Sequence, residues 1–273
     1  MAKINRVDSS IHPSAVIHPR AVVDPSVSVG PGVVIDADVV VGAGCRLGPH
    51  VYLTGRTVIG TGNVFHAGAV IGDAPQDLKY GGAPTGLRIG RDNTFRENVT
   101  VHRSNKMEED TVVGSNNFLM AGSHVGHNSV VGDHVILANG ALLGGHVVVQ
   151  DRVFVSGNCL IHQFTRVGTL ALMQGGAGVS KDIPPYTVAR GVNRICGLNL
   201  VGLRRAGVLL GERTELKRLY HTLFRGGKNL SMAMASAGPE FTSDRARILL
   251  DFVQSARRGV CADFSNIAFT PEE

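Results

Sequence analysis

Four histidines, His124, His127, His146 and His162, stand close together in the middle of this chain. Gly145 lies eighteen residues after His127, His146 eighteen after Asn128, and His162 eighteen after Gly144. A histidine near its ordinary pKa is a suitable general base for a hydroxyl, because much of it is unprotonated at neutral pH. A glycine peptide N–H can stabilise a developing oxyanion. His127 with Gly145 would supply both, and acyl transfer needs that pair and no metal. His124, His146 and His162 read either as further contacts at the same place or as structural hydrogen-bonders. His50, His66 and His134 have no partner at that offset and read as structural. No cysteine or serine has a base at the right offset, so no acyl-enzyme is expected. His124 and His127 are separated by two residues, and no cysteine or carboxylate completes a tight set. No metal and no cofactor are therefore expected.

The offset of eighteen matters because of how the rest of the chain is written. Every sixth position from Ile11 to Val179 is apolar, running Ile11, Ile17, Val23, Val29 and onward, weakened only at Asp77, Ala83 and Met107. A period of six fits neither an amphipathic helix nor a simple half-buried strand. It fits one short strand plus one tight corner, and three such units close a coil of eighteen residues. Stacked coils would pair as parallel strands roughly 4.8 Å apart, with the sixth-residue side chains stacked inside. About nine to ten coils are implied. Small residues often follow the apolar position, as at Gly30, Gly42, Gly48 and Gly60. Glycine tolerates positive φ, so these are expected at the corners.

Composition agrees. Of 273 residues, 43% are hydrophobic and only 5% aromatic, with no tryptophan, as a thin core of Val, Ile and Leu requires. The opening MAKINRVDSS has no apolar signal region, and no stretch approaches a membrane span. Cys45, Cys159, Cys196 and Cys261 lack metal spacing, which points to a reducing, cytoplasmic compartment. The net charge of +5 arises mostly in the C-terminal part, at Arg190, Arg194, Arg204, Arg205, Arg213, Lys217, Arg218, Arg225 and Lys228. No interleaved aromatic platform accompanies these cations, so nucleic acid is not the expected partner. An acidic protein or a nucleotide diphosphate would feel the same field.

The apolar frame is broken at 73–88 and 103–112, two polar stretches expected to leave the coil as loops on its binding face. Pro184-Pro185 marks a boundary. Beyond it the period becomes helical, with Leu216, Leu219, Tyr220 and Leu223, then Ile248, Leu249, Phe252 and Val253. The expected organisation is a β-helix over 1–190 and a helical domain over 191–273, whose last residues FSNIAFTPEE look loosely held.

The hexads resemble those of the hexapeptide-repeat transferases, which implies a left-handed parallel β-helix. More specific stretches occur in order: IGDAPQDLKYGGAPT, AGSHVGHNSVVG, ANGALLGGHV, IHQFTRVG, DIPPY and GLNLVGLRRAG. Together they resemble the acyl-carrier-protein-dependent UDP-N-acetylglucosamine O-acyltransferases, which open lipid A biosynthesis. The resemblance implies a homotrimer with active sites in clefts between subunits. It implies transfer of a 3-hydroxyacyl group from acyl carrier protein to the 3-hydroxyl of UDP-N-acetylglucosamine. His127 matches the family's general base and Gly145 its oxyanion donor. Asp77 and Lys79 match sugar- and phosphate-side contacts, and His124, His146, His162 and Gln163 match substrate-positioning residues. Asn199 and Arg205 match a nucleotide-binding pair, and Gly175 falls where acyl length is set, its small size implying a longer chain. Two residues depart from the pattern. Asn128 follows the base where many members carry Asp, and Val201 stands where some carry Glu. Three alternatives remain: the same chemistry on a 3-amino sugar, the later N-acyltransferase of the pathway, or a β-helix that has lost catalysis.

Overall fold

The computed structural model describes residues 10–263. The expectations about the opening residues and about FSNIAFTPEE fall outside that range. The fold is a left-handed parallel β-helix of hexapeptide repeats with C-terminal helices. The described residues divide into two compact units, between Asn128 and Ser129.

In the first unit, short strands stack in three parallel sheets. One runs Val16–Ile17, Val34–Ile35, Tyr52–Leu53, Val70–Asp73, Thr100–His102 and His124–Val125. The sixth-residue anchors point inward and are buried from Val29 onward. Ile11, by contrast, is 42% exposed, because the end coil of a stack is covered less well. A second inward position lies two residues before each anchor, as strand alternation demands. It holds Val27, Val33 and Val51 but also Asn63, Asn93 and Asn117. These asparagines survive burial because they satisfy one another. Asn93 donates its backbone N–H and its Nδ2 to Asn63 Oδ1 at 3.0 and 2.9 Å, and Asn117 N donates to Asn93 Oδ1 at 2.8 Å.

Two coils are longer than eighteen residues. Ile59 pairs with Ile89 and Phe65 with Phe95, thirty residues on. Ile89 then pairs with Val113 and Val101 with Val125, twenty-four residues on. The excursions thus add twelve and six residues, whole multiples of the repeat, which is why the apolar frame survives both. The first lies between the strands Val70–Asp73 and Gly86–Ile89, the second between Thr100–His102 and Thr111–Val113.

The second unit returns to the plain period. Val131 pairs with Val149 and Val149 with Val167, eighteen residues at each step. Past the two prolines the strand Thr187–Ala189 still adds in parallel to Leu172–Met173, with Met173 opposite Ala189. The strand Arg194–Leu198 then turns back antiparallel. Among the described residues four helices follow: α1 (Leu200–Arg205), α2 (Leu210–Phe224), α3 (Leu230–Ala237) and α4 (Asp244–Gln254). Asn199, Asn229 and Ser243 cap α1, α3 and α4 by accepting a backbone N–H three residues on. Leu216, Leu219, Tyr220 and Leu223 of α2 are buried, as are Leu249, Phe252 and Val253 of α4, whereas Ile248 is exposed. Within this unit Arg166 joins coil to helix. It pairs with Asp182 at 2.8 Å and donates to the Phe252 carbonyl at 3.0 Å.

The glycines after the anchors have a different role from the one expected. Gly30, Gly42, Gly48 and Gly60 do not have positive φ. The left-handed residue is instead the third after the anchor, at Gly32, Gly44, Gly62, Asp92, Asn98, Asn116, Asn128, His134, His146 and Asn158. The glycines after the anchors are small because the next coil's backbone touches them. A Cβ on Gly60 would stand 2.6 Å from the Gly90 carbonyl oxygen. Gly60→Ala should therefore lower stability by about 1–3 kcal/mol through overpacking, read as a fall in the urea midpoint. Gly44→Asn, at a corner with nothing near the new Cβ, should cost less.

Candidate active site

The two excursions of the first unit fold against each other. Arg103 donates to the Gly72 carbonyl at 2.8 Å and to the Tyr80 hydroxyl at 3.2 Å, and its guanidinium lies over the Tyr80 ring. Ser104 N donates to the Gly86 carbonyl at 3.0 Å. The Thr85 hydroxyl donates to the Ser104 carbonyl. Asn105 Nδ2 donates to Asp77 Oδ2 at 2.7 Å.

This paired loop reaches the candidate base. Asn105 N donates to Asn128 Oδ1 at 3.0 Å, and the same oxygen is 2.8 Å from His127 Nδ1. Asn128 Nδ2 donates to Ser104 Oγ at 2.6 Å and reaches Glu109 Oε2 at 3.4 Å. Asn128 N donates to Thr111 Oγ1 at 2.8 Å. The left-handed φ of 58° at Asn128 turns the chain so that the amide faces back toward the ring before it. Asp77 and His127, fifty residues apart, are thereby brought into one hydrogen-bonded set. The Lys79 amide, the Asn105 side chain and, more weakly, the His127 and Lys79 charges hold the Asp77 carboxyl below its usual range. Lys79 itself is exposed.

His124 sits beside this set. Its Nδ1 is 2.7 Å from Thr100 Oγ1, and its ring meets the His102 ring edge-on at 4.8 Å. Burial, then the neighbouring His102 and His127, push the His124 pKa down to about 4. Burial likewise lowers that of His102. Both rings are therefore neutral at physiological pH and act as hydrogen-bonding surfaces, not as cations.

The remaining residues expected to act belong to the second unit. Gly145 accepts from Phe164 N at 3.1 Å, while its own N–H has no acceptor among the described residues. His146 occupies a left-handed corner and stacks on Phe164 with ring centroids 4.5 Å apart. His162 and Gln163 are exposed, directly above Gly144, whose added Cβ would stand 2.9 Å from Gln163 N. Gly175 is exposed, and a Cβ there would meet only the Gly157 carbonyl oxygen at an ordinary 3.6 Å. Asn199 is engaged structurally. Its Oδ1 caps α1 through Gly202 N and its Nδ2 donates to the Leu170 carbonyl, both at 2.9 Å. Arg205 is exposed in the last turn of the same helix.

Comparison with known proteins gives the family. The bacterial transferase hexapeptide (six repeats) model matches residues 38–73 and 110–145. The model for domain 2 of UDP-N-acetylglucosamine O-acyltransferase matches residues 182–261. An acyl-[acyl-carrier-protein]–UDP-N-acetylglucosamine O-acyltransferase from Syntrophobacter fumaroxidans is 38% identical over 92% of this chain and 98% of its own. One from Gloeothece citriformis is 41% identical over 76% of this chain and 75% of its own. The solved UDP-N-acetylglucosamine acyltransferase of Francisella novicida superposes with a TM-score of 0.88 at 35% identity, covering 94% of this chain and 95% of its own. That of Bacteroides fragilis gives 0.87 at 37%, covering 92% and 99%.

The chain belongs to the UDP-N-acetylglucosamine O-acyltransferases. Sequence reasoning missed Thr100, His102, Ser104 and Asn105, which the structure places in or beside the His127 set. An eighteen-residue step back from His124 lands on Lys106, whereas its strand partner is Thr100, twenty-four residues away. The signal was the polar stretch itself: a six-residue excess in the coil shifts every neighbour by six.

The lowered His124 pKa has a consequence for stability. Unfolding restores the ordinary value near 6.5, so between pH 6.5 and 4 the unfolded chain binds the extra proton. Stability from this group is full above pH 6.5 and falls as pH drops toward 4. His124→Asn should flatten that part of a urea-midpoint against pH curve.

Proposed function

We propose that this protein transfers a 3-hydroxyacyl group from acyl carrier protein to the 3-hydroxyl of UDP-N-acetylglucosamine, the first step of lipid A biosynthesis, with His127 as general base. The observation that carries the reading is the His127 Nδ1 to Asn128 Oδ1 contact of 2.8 Å, in a network that also holds Asp77 of the first loop. A ring nitrogen engaged by an acceptor leaves its opposite nitrogen as the basic one.

The reaction then runs through two bond changes. His127 Nε2 takes the proton of the 3-hydroxyl as the oxygen adds to the thioester carbonyl. The Gly145 amide, eighteen residues along the sequence frame, donates to the tetrahedral oxyanion. The oxyanion collapses, the carbon–sulfur bond breaks, and the leaving thiolate takes the proton from the imidazolium. Asp77 and Lys79 hold the sugar and phosphate side, assisted by His124, His146, His162 and Gln163. Asn199 and Arg205 bind the nucleotide. The chain works as a homotrimer in the cytoplasm. Leu142 and Leu160, adjacent in register and 41% and 54% exposed, give an apolar stripe suited to burial against a second copy. Among the described residues no helix is long and apolar enough to cross a membrane. Exposed Arg204, Arg205 and Lys217 offer charge to the acidic carrier. Arg218 and Arg225 are already paired, with Glu240 and Asp263. The functional division of the chain follows 1–190 for the β-helix with its loops and 191–273 for the helical part.

Two substitutions test the assignment. His127→Ala should lower turnover of 3-hydroxyacyl carrier protein and UDP-N-acetylglucosamine by about 10²–10⁴-fold with the fold intact. Turnover within a few-fold of wild type would reject the base. Gly175→Met, where space for a Cβ exists, should shift the acyl length selected from mixed donors toward shorter chains by product mass spectrometry. An unchanged product distribution would remove Gly175 from the acyl groove.

A further inference from the structure

The hydrogen bonds around Asn128 bear on which nitrogen of His127 carries the hydrogen. Ser104 is completely buried and Asn128 nearly so. The Ser104 hydroxyl donates its one hydrogen to the Lys106 carbonyl at 3.0 Å and accepts from Lys106 N at 2.9 Å. With that hydrogen on the Lys106 carbonyl, the lone pair left on Ser104 Oγ accepts, which matches the Asn128 NH2 facing it at 2.6 Å. On the other side of the amide, Asn105 N is a donor, so the atom facing it must be the Asn128 oxygen. The Asn105 N–H and the Ser104 hydroxyl thus act together, neither alone, to select one orientation of an otherwise reversible amide. That orientation turns the oxygen toward His127 Nδ1, which must then carry the hydrogen.

We infer that Ser104 and the Asn105 backbone N–H are positioning groups that lock the Asn128 amide and thereby hold His127 as the Nδ1–H tautomer, with its basic lone pair on Nε2. The inference rests on the reading of His127 as the base. A carboxylate at 128 would orient the ring through either oxygen and would need no such lock. An amide does need one, because inversion would present NH2 to Nδ1 and favour the tautomer whose Nε2 carries the hydrogen. The second-loop residues Ser104 and Asn105 thus supply to an Asn what an Asp has by symmetry.

The test compares Ser104→Ala in two backgrounds, Asn128 and Asn128→Asp. All variants carry Glu109→Gln, because Glu109 lies 3.4 Å from the Asn128 amide nitrogen and would confront a new carboxylate. With Asn128 present, Ser104→Ala should lower kcat about tenfold or more, with the Michaelis constant for the UDP-sugar little changed. With Asp at 128 the same substitution should change kcat by less than about threefold. Equal losses in both backgrounds mean that Ser104 is only structural and overturn the inference. A second measurement does not depend on activity or on any Ser104 variant. Nitrogen-15 NMR of the histidine-labelled wild type, with His127→Ala to identify the resonances, should show the neutral His127 ring protonated at Nδ1. An Nε2-protonated ring would overturn the lock. If His127→Ala retains turnover while the ring is Nδ1-protonated, the base assignment fails and the lock stands.

Discussion

Each coil must return to the rung from which it left, and every other feature of the molecule accommodates that requirement. A parallel strand of two to four residues has few hydrogen bonds of its own. It is held by the strands before and after it and by an inward side chain stacked on its equivalents. A loop can leave the coil only if the chain comes back with the same side chain pointing inward. Shifting a strand by one residue would turn its whole buried set outward. The two excursions obey this by adding twelve and six residues, so Phe65 meets Phe95 in a stack at 4.7 Å and Val101 meets Val125.

The same constraint sets the chemistry of the corners. Most corners hold one residue in the left-handed region, most often glycine or asparagine, with histidine at His50, His134 and His146, and with Asp92, Arg152, Phe164 and Leu170 at others. Polar groups therefore recur at the edges of the coils, where strand geometry cannot use them. Asn128 meets both demands. Its backbone makes the turn, and its amide orients the histidine before it. His146 makes a turn likewise and spends its ring against Phe164. The glycines after the anchors answer a separate need, the close approach of the next coil's backbone.

Burial then tunes the groups so positioned. His102 and His124 lie against each other inside the first unit, where the cost of burying two cations keeps both rings neutral. Asp77 is stabilised in the opposite sense, because an amide N–H and an asparagine NH2 solvate its charge. A neutral polar surface on two strands and a fixed carboxylate on a loop thus both act on His127, and the two loops have few apolar residues of their own. Their mutual hydrogen bonds, from Arg103, Ser104 and Asn105, replace the core they lack.

The amino-acid sequence by itself determined the repeat, because a side chain that must point inward every sixth residue leaves a mark that no loop of six or twelve residues erases. It also determined His127 and its asparagine neighbour as adjacent residues at a corner. Only the tertiary structure decided who faces them. Asp77, Ser104 and Asn105 come from stretches with no period, and their partners depend on how far each loop displaces the coil count. The direction of the Asn128 amide depends on a serine hydroxyl and a peptide N–H more than twenty residues away, each already committed by its own neighbours. Periodic contacts are written locally and can be counted. Hydrogen-bond donors and acceptors are assigned only when every partner is in place.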